Sequence, residues 1–315
     1  MNETPRRPGC RTLVIDTTYG LTVGLVGQEP VHEDDSRSHV EKLERNVEKC
    51  LADASCAPSD VTNVVVMTGP GPFTGLRVGI VFAKAFAFAT GSRLSGQDVL
   101  EPQAWWSAAC RPADSARCVL AVNDARRRQL YYQLFLLEPP AVPADGGPAG
   151  QLSNLAAVTP LTGMDIGYPD DIARTVLSAL AARGLADCPV SVVGHGAAAY
   201  ASSWRAFGET ARIDDQSVAH AAGAEGLELI ARLAARRRSL GKDVSANPLY
   251  LRRPDAKLPP SLKPVLSGST RQEDVGSREA TVDPKLRAEA PVSSADTVAE
   301  VQKGLLWSSW TRDSQ

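Results

Sequence analysis

The sequence predicts an α/β protein built from two related halves, on three observations. The stretch "TLVIDTTYGLTVGLVG", residues 12–27, runs from apolar Leu13, Val14 and Ile15 into Asp16, turns at Tyr19-Gly20 and returns through Leu21, Val23 and Leu25. An apolar run and an alternating run on either side of a glycine turn are the pattern of a β-hairpin, here with a carboxylate at the turn. "RCVLAVNDARRRQLYYQLFLLE", residues 117–138, repeats the scheme, with Asp124 near the end of its first run and a basic turn after it. Such an internal echo points to duplication. Elsewhere, apolar residues recur at three- and four-residue spacing, as in helices that cover a sheet.

The elements follow in order. "SHVEKLERNVEKCLADAS" places Val40, Leu43, Val47, Cys50 and Ala54 on one face and charged residues elsewhere, an amphipathic helix. "NVVVM" is a short buried strand, and "TGPGPFTGLRVG" (68–79) links it to an apolar helix ending at Gly91. "PPAVPADGGPAG" (139–150) is a loop by its proline and glycine content. "DDIARTVLSALAARG" reads as a helix and "PVSVVGHGAAAY" as a strand entering a glycine turn. "SVAHAAGAEGLELIARLAARRR" reads as one long helix, and "NPLYLRRPDAKLP" as an extended closing segment. These elements give halves of 11–105 and 117–256. From residue 257 to about 292, Pro, Ser and charged residues dominate and too little apolar surface remains to offset ordering entropy, so this part of the 257–315 tail reads as disordered. "ADTVAEVQKGLLWSSW" at its end reads either as a short docking helix or as more unstructured tail.

Composition narrows the function. A net charge of −2 and a pI near 6.1 provide no global positive field, so any contact with RNA needs a local patch or a basic partner. "MNETPRRPGC" has no apolar signal core, and no uninterrupted apolar run reaches membrane-spanning length. The six cysteines lack C-x-x-C pairing, which fits a reduced, cytoplasmic protein.

The chemistry-bearing motifs are few. "TGPGPFTGLRVG" looks like a phosphate loop, but no Lys follows in register and the nearest cation is Arg77. The third glycine of a dinucleotide fingerprint comes one residue late, at Gly75. Gly75, Gly79, Ala83 and Ala87 recur every four residues instead, leaving a bare helix face for close approach of another backbone. Asp16 with Thr17 and Thr18 suits either a phosphate or hydrated Mg²⁺, or a turn in which the carboxylate accepts local hydrogen bonds. Asp124 with Arg126, Arg127 and Arg128 either faces an anion or is a solvated basic turn. His32, His39, His195 and His220 are far apart in sequence and form no H-x-x-x-H metal pair, and no nucleophile elbow is present.

In this order, "LVIDTTYGLTVGLV", "RSH" at a helix start, "MTGPGPFTGLRVGIVFAKAFAFATG", "LAVNDARRRQLYYQLF" and "NPLYLRRPD" resemble the bacterial TsaB (YeaZ) family over roughly residues 11–255. The resemblance implies a degenerate actin-like (ASKHA, ribonuclease H-like) fold of two duplicated halves. It also implies a non-catalytic dimerisation subunit in forming N6-threonylcarbamoyladenosine at position 37 of tRNAs reading A-starting codons. The implied partners are a TsaD-like transferase, a TsaE-like ATPase and, through the complex, tRNA, with a homodimer when the chain is alone. No metal or cofactor of its own is implied; ATP or ADP at the partner interface is the candidate ligand. Carried over, the partner contact falls on the helix with Val40, Leu43, Val47 and Cys50. Beside it lies the helix with Gly75, Arg77, Gly79, Ala83 and Ala87. Asp16, Thr17, Thr18, Asp124 and Arg126 are then a vestigial nucleotide or phosphate site. Pro72 stands where the signature usually has Ser, removing a backbone donor. The competing reading is a stand-alone ASKHA-type ATPase or kinase working through Asp16 and Asp124.

Overall fold

The computed structural model describes residues 11–33, 39–111, 115–139, 157–208, 211–215, 217–242 and 245–252. The chain divides into Met1–Asp255 and Ala256–Gln315. The second unit, with the expected tail, and the expected loop from residue 140 onward lie outside the described residues.

The first half contains β1 (Arg11–Asp16), β2 (Leu21–Leu25), β3 (Val31–Glu33), α1 (His39–Asp53), β4 (Val61–Gly69), α2 (Phe73–Thr90), β5 (Arg93–Asp98) and α3 (Leu100–Cys110). The rest contains β6 (Arg117–Asp124), β7 (Leu130–Glu138), β8 (Ala157–Pro160), β9 (Asp165–Gly167), α4 (Pro169–Ala181), β10 (Val190–Val193), α5 (Ala201–Trp204), β11 (Arg212–Asp214), α6 (Val218–Ala221) and α7 (Gly223–Ser239).

Duplication is visible in the sheets. The first has the order β3-β2-β1-β4-β5 and the second β8-β7-β6-β10-β11, so β6, β7, β8, β10 and β11 repeat the roles of β1 to β5. In each, the first three strands are antiparallel and the last two parallel to the first. Alternation along the strands separates three cores. Leu13, Ile15, Val64 and Val66 face α1 and α2. Cys118, Leu120 and Val122 face α4 and Trp204. Val14, Val65 and Met67 of the first sheet and Val119, Ala121 and Phe135 of the second share a central layer with α3 and α7. The order of layers is therefore helices, sheet, helices, sheet, helices.

Three local differences from the sequence reading have physical causes. β5 ("RLSGQD") and α3 ("LEPQAWWSAAC") carry no period, because β5 is largely polar and α3 is buried on nearly all sides between the sheets. The expected long helix from 217 breaks at Ala222-Gly223, where Gly223 has φ 54°, into α6 and α7. And α7, although late in the chain, anchors to the first sheet. Arg237 pairs with buried Asp98 at 2.6 Å and with Glu101, and Arg238 donates to Ser95 Oγ at 2.6 Å. α2 ends as expected at Gly91, left-handed at φ 71°. It is the one described helix long and apolar enough, by length and composition, to cross a membrane. One side of it packs on the sheet through Leu76, Ile80, Ala83 and Phe86.

Candidate functional site

Each half begins with a hairpin whose first strand ends in aspartate, and each aspartate is spent on its own turn. Thr18 donates to Asp16 Oδ1 through its backbone N (2.8 Å) and its hydroxyl (2.6 Å). Arg126 N donates to Asp124 Oδ1 at 3.0 Å, and Arg126 Nη1 stands 3.7 Å from Asp124 Oδ2. Asp16 is fully buried, and burial pushes its carboxyl above the usual range against the opposing Thr18 hydrogen bonds and the charge of His32. The local turn bond, one of the two readings for Asp16, is present.

Each turn also meets a glycine loop, and the two joints differ. At the first, Tyr19 stacks on His195 with ring centroids 3.4 Å apart, and His220 meets Tyr19 edge-on at 6.5 Å. His32 packs on His220 at 3.4 Å and its Nδ1 lies 2.8 Å from Thr22 Oγ1. His195 and His220 thus meet one tyrosine, and His32 extends the cluster through His220. Burial lowers the His195 pKa, with Asp124 and Asp215 pulling the other way. Among the described residues, no group of three or more His, Cys, Asp or Glu is arranged to hold a metal ion. The joint is filled by rings.

At the second joint the loop is clamped in place but a space remains. The Gly69-Pro70 peptide is cis. Asn123 Nδ2 donates to Pro70 O at 3.0 Å, Tyr131 OH to Gly71 O at 3.5 Å, and Leu249 N to Thr68 O at 2.8 Å. Beside the loop lies a cleft of about 420 Å³, lined by Gly71–Phe73, Asp124–Arg127, Tyr131, Tyr250 and Arg252. Arg252 Nη1 donates to Ala125 O at 2.7 Å and so fixes the turn. Arg126, Arg127 and Arg128 follow one another at φ 63°, 52° and 63°, a left-handed run that non-glycine residues hold at a cost of about 1–2 kcal/mol each. Arg77 lies over the Phe73 ring at 3.8 Å and donates to Tyr250 OH at 2.9 Å, while Phe73 and Tyr250 are 4.8 Å apart.

The glycines of "TGPGPFTGLRVG" serve this packing. A Cβ on Gly71 would fall 3.1 Å from Thr18 Cα, and one on Gly79 would fall 2.4 Å from Thr17 Oγ1 and 3.0 Å from Thr17 Cγ2. The bare helix face expected to admit another backbone therefore admits the chain's own first turn. Gly75, Gly79, Ala83 and Ala87 are all buried. Leu43 (1% exposed), Val47 (2%) and Cys50 lie in the same core, and Val40 is in the first turn of α1. In this chain Leu43, Val47 and Cys50 cover the first sheet. The apolar residues left outside lie across α2, with Val81 64% exposed and Phe88 74%, and Val78 and Phe82 half-buried beside them. Arg77 is exposed. Tyr19, His195, Phe73, Tyr131, Tyr250 and Arg252 carried no sequence signal, because only the duplicated topology brings their segments together.

Comparison with known proteins follows the same lines. The chain matches the family described as TsaD, tRNA N6-adenosine threonylcarbamoyltransferase, over residues 30–259. An uncharacterized protein of Mycobacterium tuberculosis is 36% identical over 130 residues, covering 39% of this chain and 58% of that protein. The tRNA threonylcarbamoyladenosine biosynthesis protein TsaB of Bacillus subtilis is 32% identical over 128 residues, covering 39% of this chain and 54% of that protein. The chain thus spans a little over half the length of these relatives. YeaZ from Pseudomonas aeruginosa superposes with a TM-score of 0.51 at 20% identity, over 77% of this chain and 100% of that structure. The fold is that of YeaZ, and the repeated strand order fits two actin-like halves.

Proposed function

Since the chain belongs to the tRNA N6-adenosine threonylcarbamoyltransferase family, and is TsaB/YeaZ-like, we propose that it acts in N6-threonylcarbamoyladenosine formation on tRNA as a non-catalytic subunit. In this reading it docks a TsaD-like transferase in the cytoplasm, and the transferase carries the chemistry. The observation that carries the reading is the outer face of α2. Val81 and Phe88 lie exposed on a helix whose opposite side already fills the core. Exposed large apolar residues grouped on one face are what a helix-packing partner buries. The same face serves a homodimer when the chain is alone, and a TsaE-like ATPase joins the dimer with the transferase, with ATP or ADP at that partner interface.

Two positive features support a scaffold over a stand-alone ATPase or kinase. Asp16, which such an enzyme would aim at a nucleotide, is buried and holds Thr18. The first joint, where the halves would open around a nucleotide, is packed with the Tyr19 and His195 rings. The test is co-purification of the full chain with the TsaD-like protein of the same cell. Phe88→Glu should abolish association while the melting temperature holds; undiminished association would refute the α2 docking face.

A further inference from the structure

We propose that Cys118 and Cys188 form a reversible disulfide on oxidation, a redox clamp that ties the turn after α4 to the first strand of the second sheet. This goes beyond the scaffold reading and does not rest on it.

The sheet assembles this pair, since 70 positions of sequence separate the two residues. Cys118 is the second residue of β6 and is fully buried in the core under α4 and Trp204. Cys188 lies on the turn between α4 and β10, partly open to solvent, with its N donating to Leu185 O at 3.0 Å. The β6–β10 ladder sets one against the other. Cys118 pairs with Val190, and Cys118 N donates to Pro189 O at 2.8 Å. The two sulfurs are 3.3 Å apart, with Cys118 Sγ donating to Cys188 Sγ, and Cys188 Sγ donating to Ala116 O at 3.7 Å. A disulfide bond is about 2.05 Å long, so a movement of roughly 1.3 Å closes it. Buried Cys50 and Cys56 instead turn their thiols to backbone oxygens, those of Val23 at 3.4 Å and Ala57 at 3.5 Å.

Exposure sets the order of the chemistry. Peroxide reaches Cys188 from solvent, whereas burial, and then the neighbouring Cys188 sulfur, push the Cys118 thiol up and keep it protonated. The Cys188 thiolate attacks one oxygen of hydrogen peroxide, the O–O bond breaks, hydroxide leaves, and Cys188 becomes a sulfenic acid. The Cys118 sulfur then attacks the Cys188 sulfur. The S–S bond forms, the S–O bond breaks, and the departing hydroxide takes the Cys118 proton and leaves as water. Two electrons pass from the pair of thiols to peroxide, which ends as water. A dithiol reverses the bond by exchange. Transient disulfides of this kind are the ones that a reducing compartment permits.

The full chain, reduced and freed of reductant, is exposed to hydrogen peroxide, alkylated in denaturant and mapped by tryptic mass spectrometry. Residues 118–126 should appear joined to residues 184–205, and dithiothreitol should separate them. The oxidised chain should melt about 5 °C higher than the reduced one, because the bond closes a long loop. Cys188→Ser should lose both the crosslink and the rise, and Cys110→Ser should lose neither. Cys118→Ala should instead stop at the sulfenic acid, read as dimedone labelling of Cys188. Thermal melts of the reduced variants check that each one folds. The proposal is overturned if the wild type keeps both thiols free at a peroxide concentration that labels Cys188 in the Cys118→Ala chain. It is also overturned if the crosslink maps to another pair, if Cys188→Ser still crosslinks residue 118, or if the crosslinked chain melts no higher than the reduced one.

Discussion

α1 and α2 lie on the same face of the same sheet, yet they relate to their surroundings in opposite ways. α1 has a sharp apolar stripe, and the stripe is used up: Leu43, Val47, Cys50 and Leu51 all enter the core under a charged outer surface. α2 is apolar almost all round. Its small residues meet the β1–β2 turn and the sheet, while Val81 and Phe88 remain outside. A clean amphipathic stripe is what a helix needs to cover its own sheet. Apolar surface beyond that need is what marks a docking face. The helix with the less regular pattern is therefore the one to examine for a partner.

This contrast can be broken by substitution, and the largest effect belongs to α1. Val47→Glu buries an unpaired carboxylate and should cost on the order of 4 kcal/mol in urea unfolding, so lost association in that variant reports lost fold. Next is the inner face of α2. Gly79→Ala drives a methyl into buried, β-branched Thr17 and should lower stability by about 1–3 kcal/mol; a neutral result would mean the turn and helix are not in close contact. On the outer face, Val81→Glu should change stability by no more than about 0.5 kcal/mol, since solvent already reaches the site. The smallest effect sharpens what the inner face leads to, the ring-filled joint beyond Thr17. Burial lowers the His195 pKa below its unfolded value, so the unfolded chain takes up the proton more readily. Stability is then full above about pH 6.5 and falls as acid is added below it. Asp16, with its raised pKa, pulls in the opposite direction. The diagnostic is thus the difference in melting temperature between wild type and His195→Gln, which should shift in favour of the variant from pH 7.5 to 5.5.

Much of the fold was legible in the sequence because most elements bury one side only. The two hairpins, α1, α4 and the Gly91 stop of α2 all show their period or their cap in the residues. Segments without one dry and one wet side were not. α3, enclosed between two sheets, gives no stripe, and β8, β9 and β11 are too short to alternate. The site was half legible. Asp124 and Arg126 stand out as a charged turn, but Phe73, Tyr250 and Arg252 reach the same cleft from segments more than a hundred residues apart. On the four-residue glycine and alanine face, Gly79 meets the side chain of the chain's own Thr17.

The central claim is that the outer face of α2 docks a TsaD-like transferase, and one paired measurement tests it most directly. Affinity-tagged wild type and Phe88→Glu are each co-expressed with that protein, and the retained partner is quantified alongside the melting temperature of each chain. The account predicts partner retained by wild type and lost with Phe88→Glu at an unchanged melting temperature. Equal retention by both, from equally stable chains, would contradict it.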